Sequence, residues 1–454
     1  MTQFDPFSPD ALSRSVPRYT SYPTAPHFSE AVDETAYRRW LGALEPQTPL
    51  SLYVHIPFCD RLCWFCACRT QGTKTYKPVA EYLEPLSREI AMVAEATTAG
   101  AVVNQIHWGG GSPSVLSAED ILRLKEILSA AFPGVADARL EVELDPRDMT
   151  EAKLDAFAAA GLSRASIGVQ DFAASVQAAI GRVQGETVTR QLVEGLRARG
   201  VASVSMDLVY GLPRQTLESL ERTVEAVIDL APDRLALFGY AHVPWMARRQ
   251  TLIDAATLPD TAARVLLAGR AREMLIEAGY VAVGIDHFAK PHDTMARAVA
   301  EGRLRRNFQG YTTDQAAALI GFGASAIGYV PQGYVQNIPA TAAWRAAVED
   351  GHLPIARGVA FSLDDRMRAQ VISDLLCRFT VDIGGLRAAF GDMAGPVVRR
   401  ATALSERAPE GALTPLPGGD GFEIAPAWRD RTRLIAAAFD AYLPTSDKRH
   451  SLAV

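Results

Sequence analysis

Four of the five cysteines stand within ten residues of one another: Cys59, Cys63, Cys66 and Cys68, with Cys377 alone. Five is an odd count for a disulfide framework, and a chain of 454 residues needs no covalent staples. A metal site in a reducing compartment is the natural reading. Cys59-x3-Cys63-x2-Cys66 offers three thiolates from one loop. Structural zinc takes four ligands, usually as two separated pairs. Cys68 follows Cys66 too closely for that, because in extended chain the two side chains point the same way. Three thiolates fit a four-iron cluster whose fourth iron stays open for a substrate or cofactor. A structural zinc module in some other α/β enzyme is the competing reading. His55, just before the loop, reads as a strand-end hydrogen-bonding residue.

Other polar and glycine-rich signals each follow a short apolar run: GGGSP from Gly109, ELDP with Glu143 and Asp145, GVQDF with Gln170, MDLVYGLP with Asp207, and FGYAHVP with Ala241. The runs themselves, residues 51–58, 105–108, 140–144, 165–169, 203–209 and 235–240, have strand length. Between them lie stretches with helical spacing, such as 118–131, 152–160, 187–199 and 217–230. In an earlier stretch, directly after the cysteines, Tyr82, Leu83, Leu86, Ile90 and Val93 share a face. Six β-α alternations predict an α/β fold, a parallel sheet with right-handed crossovers that forms a partial (β/α)6 barrel. In such folds sites gather at the C-terminal strand ends, where these signals fall. Residues 281–286 are a further strand candidate.

The first forty residues, broken by Pro6, Pro9, Pro17, Pro23 and Pro26, form an N-terminal arm (1–40) on a main body of 41–340. Residues 341–454 read as a smaller, mainly helical domain, with helices over 364–377 and 429–443 and a hairpin over 413–424. A balance of 46 Lys+Arg against 52 Asp+Glu, net −6, excludes a globally basic nucleic-acid binder. The start lacks a positive cluster leading an apolar run. Residues 315–344 carry no charge, but their glycines, prolines, Gln332, Gln336 and Asn337 fit a buried, turn-rich segment better than a membrane span. A soluble, cytoplasmic protein is expected, and a monomer, since no long heptad or exposed apolar stripe argues otherwise.

The cysteine loop, with Phe65 just before Cys66 and GGGSP after the next strand, resembles the radical S-adenosylmethionine (SAM) enzymes. More narrowly, the chain is similar to the oxygen-independent coproporphyrinogen III oxidase family, also called coproporphyrinogen dehydrogenase. The likeness runs from PRYTSYPT (17–24) through LYVHIPFCDRLCWFCAC, DLVYGLPRQT and DHFAKPHD to RNFQGYTT and GASAIG, covering about residues 16–337. PRYTSYPT, Cys68 and RNFQGYTT are its specific parts. The resemblance implies an oxidoreductase of haem and porphyrin biosynthesis. Cys59, Cys63 and Cys66 would hold a 4Fe-4S cluster whose open iron chelates SAM. An electron from a donor such as flavodoxin or ferredoxin would release a 5′-deoxyadenosyl radical. That radical would take a β-hydrogen from a propionate of coproporphyrinogen III. Loss of CO2 and of one electron, to an acceptor the resemblance does not name, leaves a vinyl group, and two rounds give protoporphyrinogen IX.

Carried over position by position, Tyr53, Gly110, Glu143 and Ile327 match the surroundings of the cluster-bound SAM. Phe65, Gly111, Ser112, Gln170, Arg182, Asp207 and Ala241 match those of a second SAM. Tyr53 and Cys68 are assigned to the chemistry. Ser112 stands where threonine is common, and Arg69 where an uncharged polar residue is frequent. A haem-delivering chaperone and a haem-modifying radical methyltransferase compete. The arm and Cys68 speak against the chaperone. For four propionates the chain offers Arg18 with Tyr19 and Tyr22, and Arg303, Arg305 and Arg306 before Asn307, Phe308 and Tyr311. Arg303 and Arg305 taken singly read as readily as solvated surface.

Overall fold

The computed structural model describes residues 5–443. The six apolar runs are six parallel strands, β1 (Pro49–Ile56), β2 (Val102–Gly110), β3 (Arg139–Leu144), β4 (Leu162–Gln170), β5 (Ser203–Tyr210) and β6 (Arg234–Gly239), adjacent in sequence order. The helices Lys77–Ala96, Ala118–Ala131, Glu151–Ala159, Glu186–Ala198 and Leu217–Leu230 make the crossovers. Local chemistry sets their ends. Ser117 accepts from the Asp120 N–H, and Thr216 and Ser219 form a reciprocal capping box. On the first crossover Leu83, Leu86 and Ile90 are fully buried, each contributing about 1.5–3 kcal/mol of apolar transfer.

The sheet continues on both sides. Beyond β6 come β7 (Val281–Val283) and β8 (His287–Ala289), with β8 antiparallel to β6 and β7 at the edge. The expected strand at 281–286 thus covers only three of its residues, and it reaches the sheet through a hairpin. Beyond β1 lie β9 (Ala318–Phe322), parallel to β1, and then the antiparallel β10 (Ile327–Val330), β11 (Gly333–Asn337) and β12 (Ile355–Ala360). Seven neighbouring strands are therefore parallel. β12 and β7 end the order without pairing to each other, so the barrel is open. The uncharged segment supplies β9, β10 and β11, which explains its lack of charge: most of it is packed against neighbours. No helix among the described residues is long and apolar enough to cross a membrane.

Both expected domain boundaries shift. β12 and the helix Thr341–Glu349, whose Trp344 is fully buried, belong to the main body, so the helical C-terminal part starts near Leu363 rather than at 341. At the other end the helix Glu34–Gly42 sinks Tyr37, Trp40 and Leu41 into the main core, so a boundary at 40 cuts a helix. The C-terminal part comprises Leu363–Arg378, Ile383–Phe390, Gly395–Arg407 and Thr432–Ala437 around a three-stranded sheet that contains the expected hairpin, Leu413–Pro415 with Gly421–Ile424. Its core includes Phe7, Ala11, Val16, Tyr19 and Tyr22 from the arm.

Candidate active site

The cysteine loop leaves the C-terminal end of β1 and is closed by a short parallel pairing of Phe58–Cys59 with Gln71–Gly72. Its far side docks on the body. The Trp64 N–H donates to the Ile180 carbonyl, and the indole covers Gly181, where a Cβ would stand 2.8 Å from the ring. With φ of +65° there, only glycine fits both the turn and the contact. Arg249 holds the other flank, donating to Thr70 Oγ1 and the Thr70 carbonyl at 2.9 Å and to the Cys68 carbonyl at 3.5 Å. Gln250 Nε2 donates to the Phe65 carbonyl at 2.6 Å and the Ala241 carbonyl at 3.0 Å.

The sulfurs face a cavity of about 370 Å3 at the ends of β2 to β6. Its walls include Cys59, Cys63, Cys66, Cys68, Phe65, Gly110, Gly111, Ser112, Glu143, Gln170, Arg182, Asp207 and Ala241, thirteen of the fifteen residues expected. Tyr53 and Ile327 are not on it. Ile327 lines a neighbouring cavity, and Tyr53 stacks on His107 with ring centroids 5.7 Å apart. Cys63 Sγ accepts from Arg182 Nη1 at 3.4 Å and Arg147 Nη2 at 3.6 Å, and Cys66 Sγ accepts from the Cys68 N–H at 3.3 Å. Both guanidiniums are buried and anchored on Asp145, at 3.1 and 2.6 Å. Arg182 is therefore held in place by its partners. It also donates to the Gly168 carbonyl at 2.7 Å, and its Nε is buried with no partner.

These features suit a cluster. Three soft sulfurs on one wall would bring negative charge as cluster ligands, and two fixed guanidiniums at Cys63 would offset it. Among the described residues no three Cys, His, Asp or Glu side chains converge as one ion would require. A multi-iron cluster ligated iron by iron needs no such convergence.

Glu143 presents one edge to the cavity. His107 Nε2 donates to its Oε1 at 3.0 Å and the Gly110 N–H to its Oε2 at 3.1 Å. Burial acts to raise this carboxyl, but those bonds and the His107 charge outweigh it and hold it below the ordinary range. Burial alone would lower His107. Glu141 and Glu143 outweigh that and push it up to about 9, so it is a cation at neutral pH. Gly110 has φ of +106°, and a Cβ there would meet the His55 ring at 2.5 Å. His55 Nε2–H donates to the Arg69 carbonyl and Nδ1 accepts from the Tyr53 hydroxyl, both at 3.1 Å, while burial lowers its pKa, so the ring is neutral. It is the strand-end residue expected. Asp207 is pushed up to about 6 by burial and by Glu143, and accepts weakly from Ser166 Oγ.

Sequence reasoning missed His107, Arg147 and Arg249. His107 points the same way as Tyr53 on the paired strand, a register signal that existed. Arg249 lies in an irregular stretch with no periodicity to expose it. Of the substrate candidates, Arg18 lines this cavity and donates to the Gly239 carbonyl at 2.5 Å. Arg303 is exposed and pairs with Glu301, whereas Arg305, also exposed, lines the neighbouring cavity with Arg306.

Comparison with known proteins identifies the family. The profile of the radical SAM superfamily matches residues 53–227. The chain is 48% identical to an oxygen-independent coproporphyrinogen III oxidase of Cereibacter sphaeroides over 96% of both chains, and 47% identical to one of Paracoccus denitrificans over 94% of both. The solved structure of the radical SAM enzyme coproporphyrinogen III oxidase from Escherichia coli superposes with a TM-score of 0.87 at 37% identity, covering 94% of this chain and all of that one.

Proposed function

Because the chain belongs to the oxygen-independent coproporphyrinogen III oxidases of the radical SAM superfamily, we propose that its cysteine cavity converts two propionates of coproporphyrinogen III to vinyl groups, giving protoporphyrinogen IX. The observation that carries this reading is the meeting of three loop thiols, an ionised Glu143 and the Asp145-anchored Arg182 in one cavity. When bound, the 4Fe-4S cluster and SAM supply a radical able to take a β-hydrogen from a propionate.

The chain's own groups do the rest. Cys59, Cys63 and Cys66 hold the cluster. Glu143, kept charged by His107, accepts from the ammonium or ribose hydroxyls of the cluster-bound SAM, while Tyr53 fixes His107 by stacking. Phe65, Gly111, Ser112, Gln170, Arg182, Asp207 and Ala241 surround a second SAM. Support for that site is the cavity they share and the unpaired Arg182 Nε in its wall. Ile327, at the start of β10, lines the neighbouring cavity and would meet the cluster-bound SAM from that side. Cys68, on the cavity wall with its N–H donating to Cys66 Sγ, stands beside the site without ligating. The reading extends to a cytoplasmic monomer fed by a flavodoxin- or ferredoxin-type donor and drained by a separate acceptor.

The test is an anaerobic assay of reconstituted protein with SAM, a low-potential reductant and coproporphyrinogen III. Protoporphyrinogen IX with matching CO2 release is expected. Haem binding or methyl transfer without CO2 would replace this reading by the chaperone or the methyltransferase.

A further inference from the structure

Next to the cysteine cavity lies a larger one, about 480 Å3, bounded by arm residues 19–22, the strand Arg305–Asn307, β10, β11 and the helix Leu363–Arg378. Its walls are aromatic, with Tyr19, Tyr22, Tyr329, Tyr334 and Phe361. Its two carboxylates are already engaged. Asp365 caps the helix through Ser362 and accepts from the Tyr442 hydroxyl, and Asp314 accepts from Ser51 and from the Ala316 N–H.

Arg306 is not engaged in that way. Its guanidinium stacks over the Tyr311 ring, 4.6 Å from the centroid, yet Nε and Nη1 are buried without a hydrogen-bond partner. Tyr311 is fixed beneath it, donating to the Leu376 carbonyl at 2.6 Å and accepting from the Ile285 N–H at 3.1 Å. Arg433, from the helix Thr432–Ala437, lies within electrostatic reach of Arg306, Tyr311 and Asp286, and Arg18 within reach of Arg433 and Asp286. Three arginines from distant parts of the chain thus lie within electrostatic reach of one acid, Asp286, which itself accepts from His287 at 2.7 Å. Burial and the nearby Arg433 push Arg18 down to about 10, and its Nε is also buried and unpartnered. Buried guanidinium donors left unpaired are costly unless a ligand completes them.

We propose that Arg306 and Arg18, backed by Arg433, bind the carboxylates of propionates that are not reacting, so that the reacting propionate reaches the cysteine cavity. The inference rests on the function proposed above. Position favours it: the consecutive arm residues Arg18 and Tyr19 line the cysteine cavity and the aromatic cavity respectively, so the two adjoin at the arm, and Arg306 lines the second. The chemistry also fits. A guanidinium fork takes a carboxylate by two parallel hydrogen bonds, and aromatic walls suit the flat faces of pyrrole rings.

The test titrates the anaerobic holoenzyme with coproporphyrin III, the stable oxidised tetracarboxylate, and with its tetramethyl ester, following porphyrin fluorescence. Wild-type protein should prefer the free acid. In Arg306→Gln affinity for the acid should fall about ten- to hundredfold, the loss of a charge-assisted pair, with the ester little changed. KM for coproporphyrinogen III should rise in step, and Arg306→Lys should recover part of it. Iron content should stay at the wild-type level. Arg433→Gln is the second variant, expected to lower the acid-to-ester ratio in the same direction. An unchanged ratio in both variants, or equal loss for acid and ester, overturns the anchor. Should wild-type protein form no protoporphyrinogen, the proposed function fails, a result separate from either variant's.

Discussion

Cys63 and Cys68 lie in one loop yet have opposite surroundings. The sulfur of Cys63 is buried under two guanidiniums, whereas Cys68 is exposed and offers its backbone N–H to Cys66. Replacing Cys59, Cys63 or Cys66 singly by Ser should therefore abolish the cluster, since each removes one of three ligands. Cys68→Ser should retain most of the iron and lose turnover. Iron and sulfide analysis checks this, and equal iron loss in Cys68→Ser and Cys59→Ser would refute it. His107 gives a pH signature. Its folded-state pKa is raised from 6.5 to about 9, so its stabilisation is complete below pH 6.5 and lost as pH rises through about 9. The wild-type melting temperature should fall by a few degrees between pH 7 and 10. His107→Gln should start lower and slope less over that window in the same thermal melts.

At the scale of elements, the crossover helix Lys77–Ala96 does more than cover the sheet. Its buried Glu89 accepts from the Gly323 N–H at 2.8 Å, from Asn337 Nδ2 at 2.5 Å and from Trp344 Nε1 at 3.0 Å. One carboxylate thus ties the turn between β9 and β10 to β11 and to the helix behind it, and that turn leads into Ile327. Glu89→Ala would strand three buried donors, each costing about 1–3 kcal/mol. We expect it to lower the melting temperature well below wild type and to weaken SAM binding in equilibrium dialysis. Glu89→Gln, which keeps the volume and one acceptor, should lie between them. A SAM affinity unchanged in Glu89→Ala would show that the turn does not position Ile327. The helix itself was legible from Leu83, Leu86 and Ile90. Glu89 was not, because a lone acid between apolar positions looks like a solvated residue until its partners arrive from more than two hundred residues away.

For the whole molecule the arm is the deciding element. Phe7, Val16, Tyr19 and Tyr22 are buried in the core of the C-terminal helices, the Tyr19 hydroxyl donates to Asp440, and the Ala441 N–H donates to the Tyr22 hydroxyl. Four such side chains represent about 6–12 kcal/mol of apolar burial, as much as a typical domain's stability of about 5–15 kcal/mol. Deleting residues 1–29 should thus abolish decarboxylation while the cluster and uncoupled SAM cleavage persist, and should also open the C-terminal helices to limited proteolysis. A truncated protein that keeps decarboxylation and resists protease would show the arm to be dispensable.

By itself the sequence determined what is periodic or local: six parallel strands with their crossovers, three thiolates on one loop, and the polar strand ends, thirteen of whose expected residues share the cavity. Alternation and helical spacing depend on which face of one element is buried, so each element carries its own record. Only the tertiary structure decided which surfaces meet. It set β9 parallel to β1, gave β12 to the main body and the arm to the C-terminal core, and separated Arg306 from Arg303, its near neighbour in sequence. It also brought Arg249 to Thr70 across 179 residues. Such pairings depend on packing between distant segments, where neither partner's neighbours in sequence hold any trace of the other.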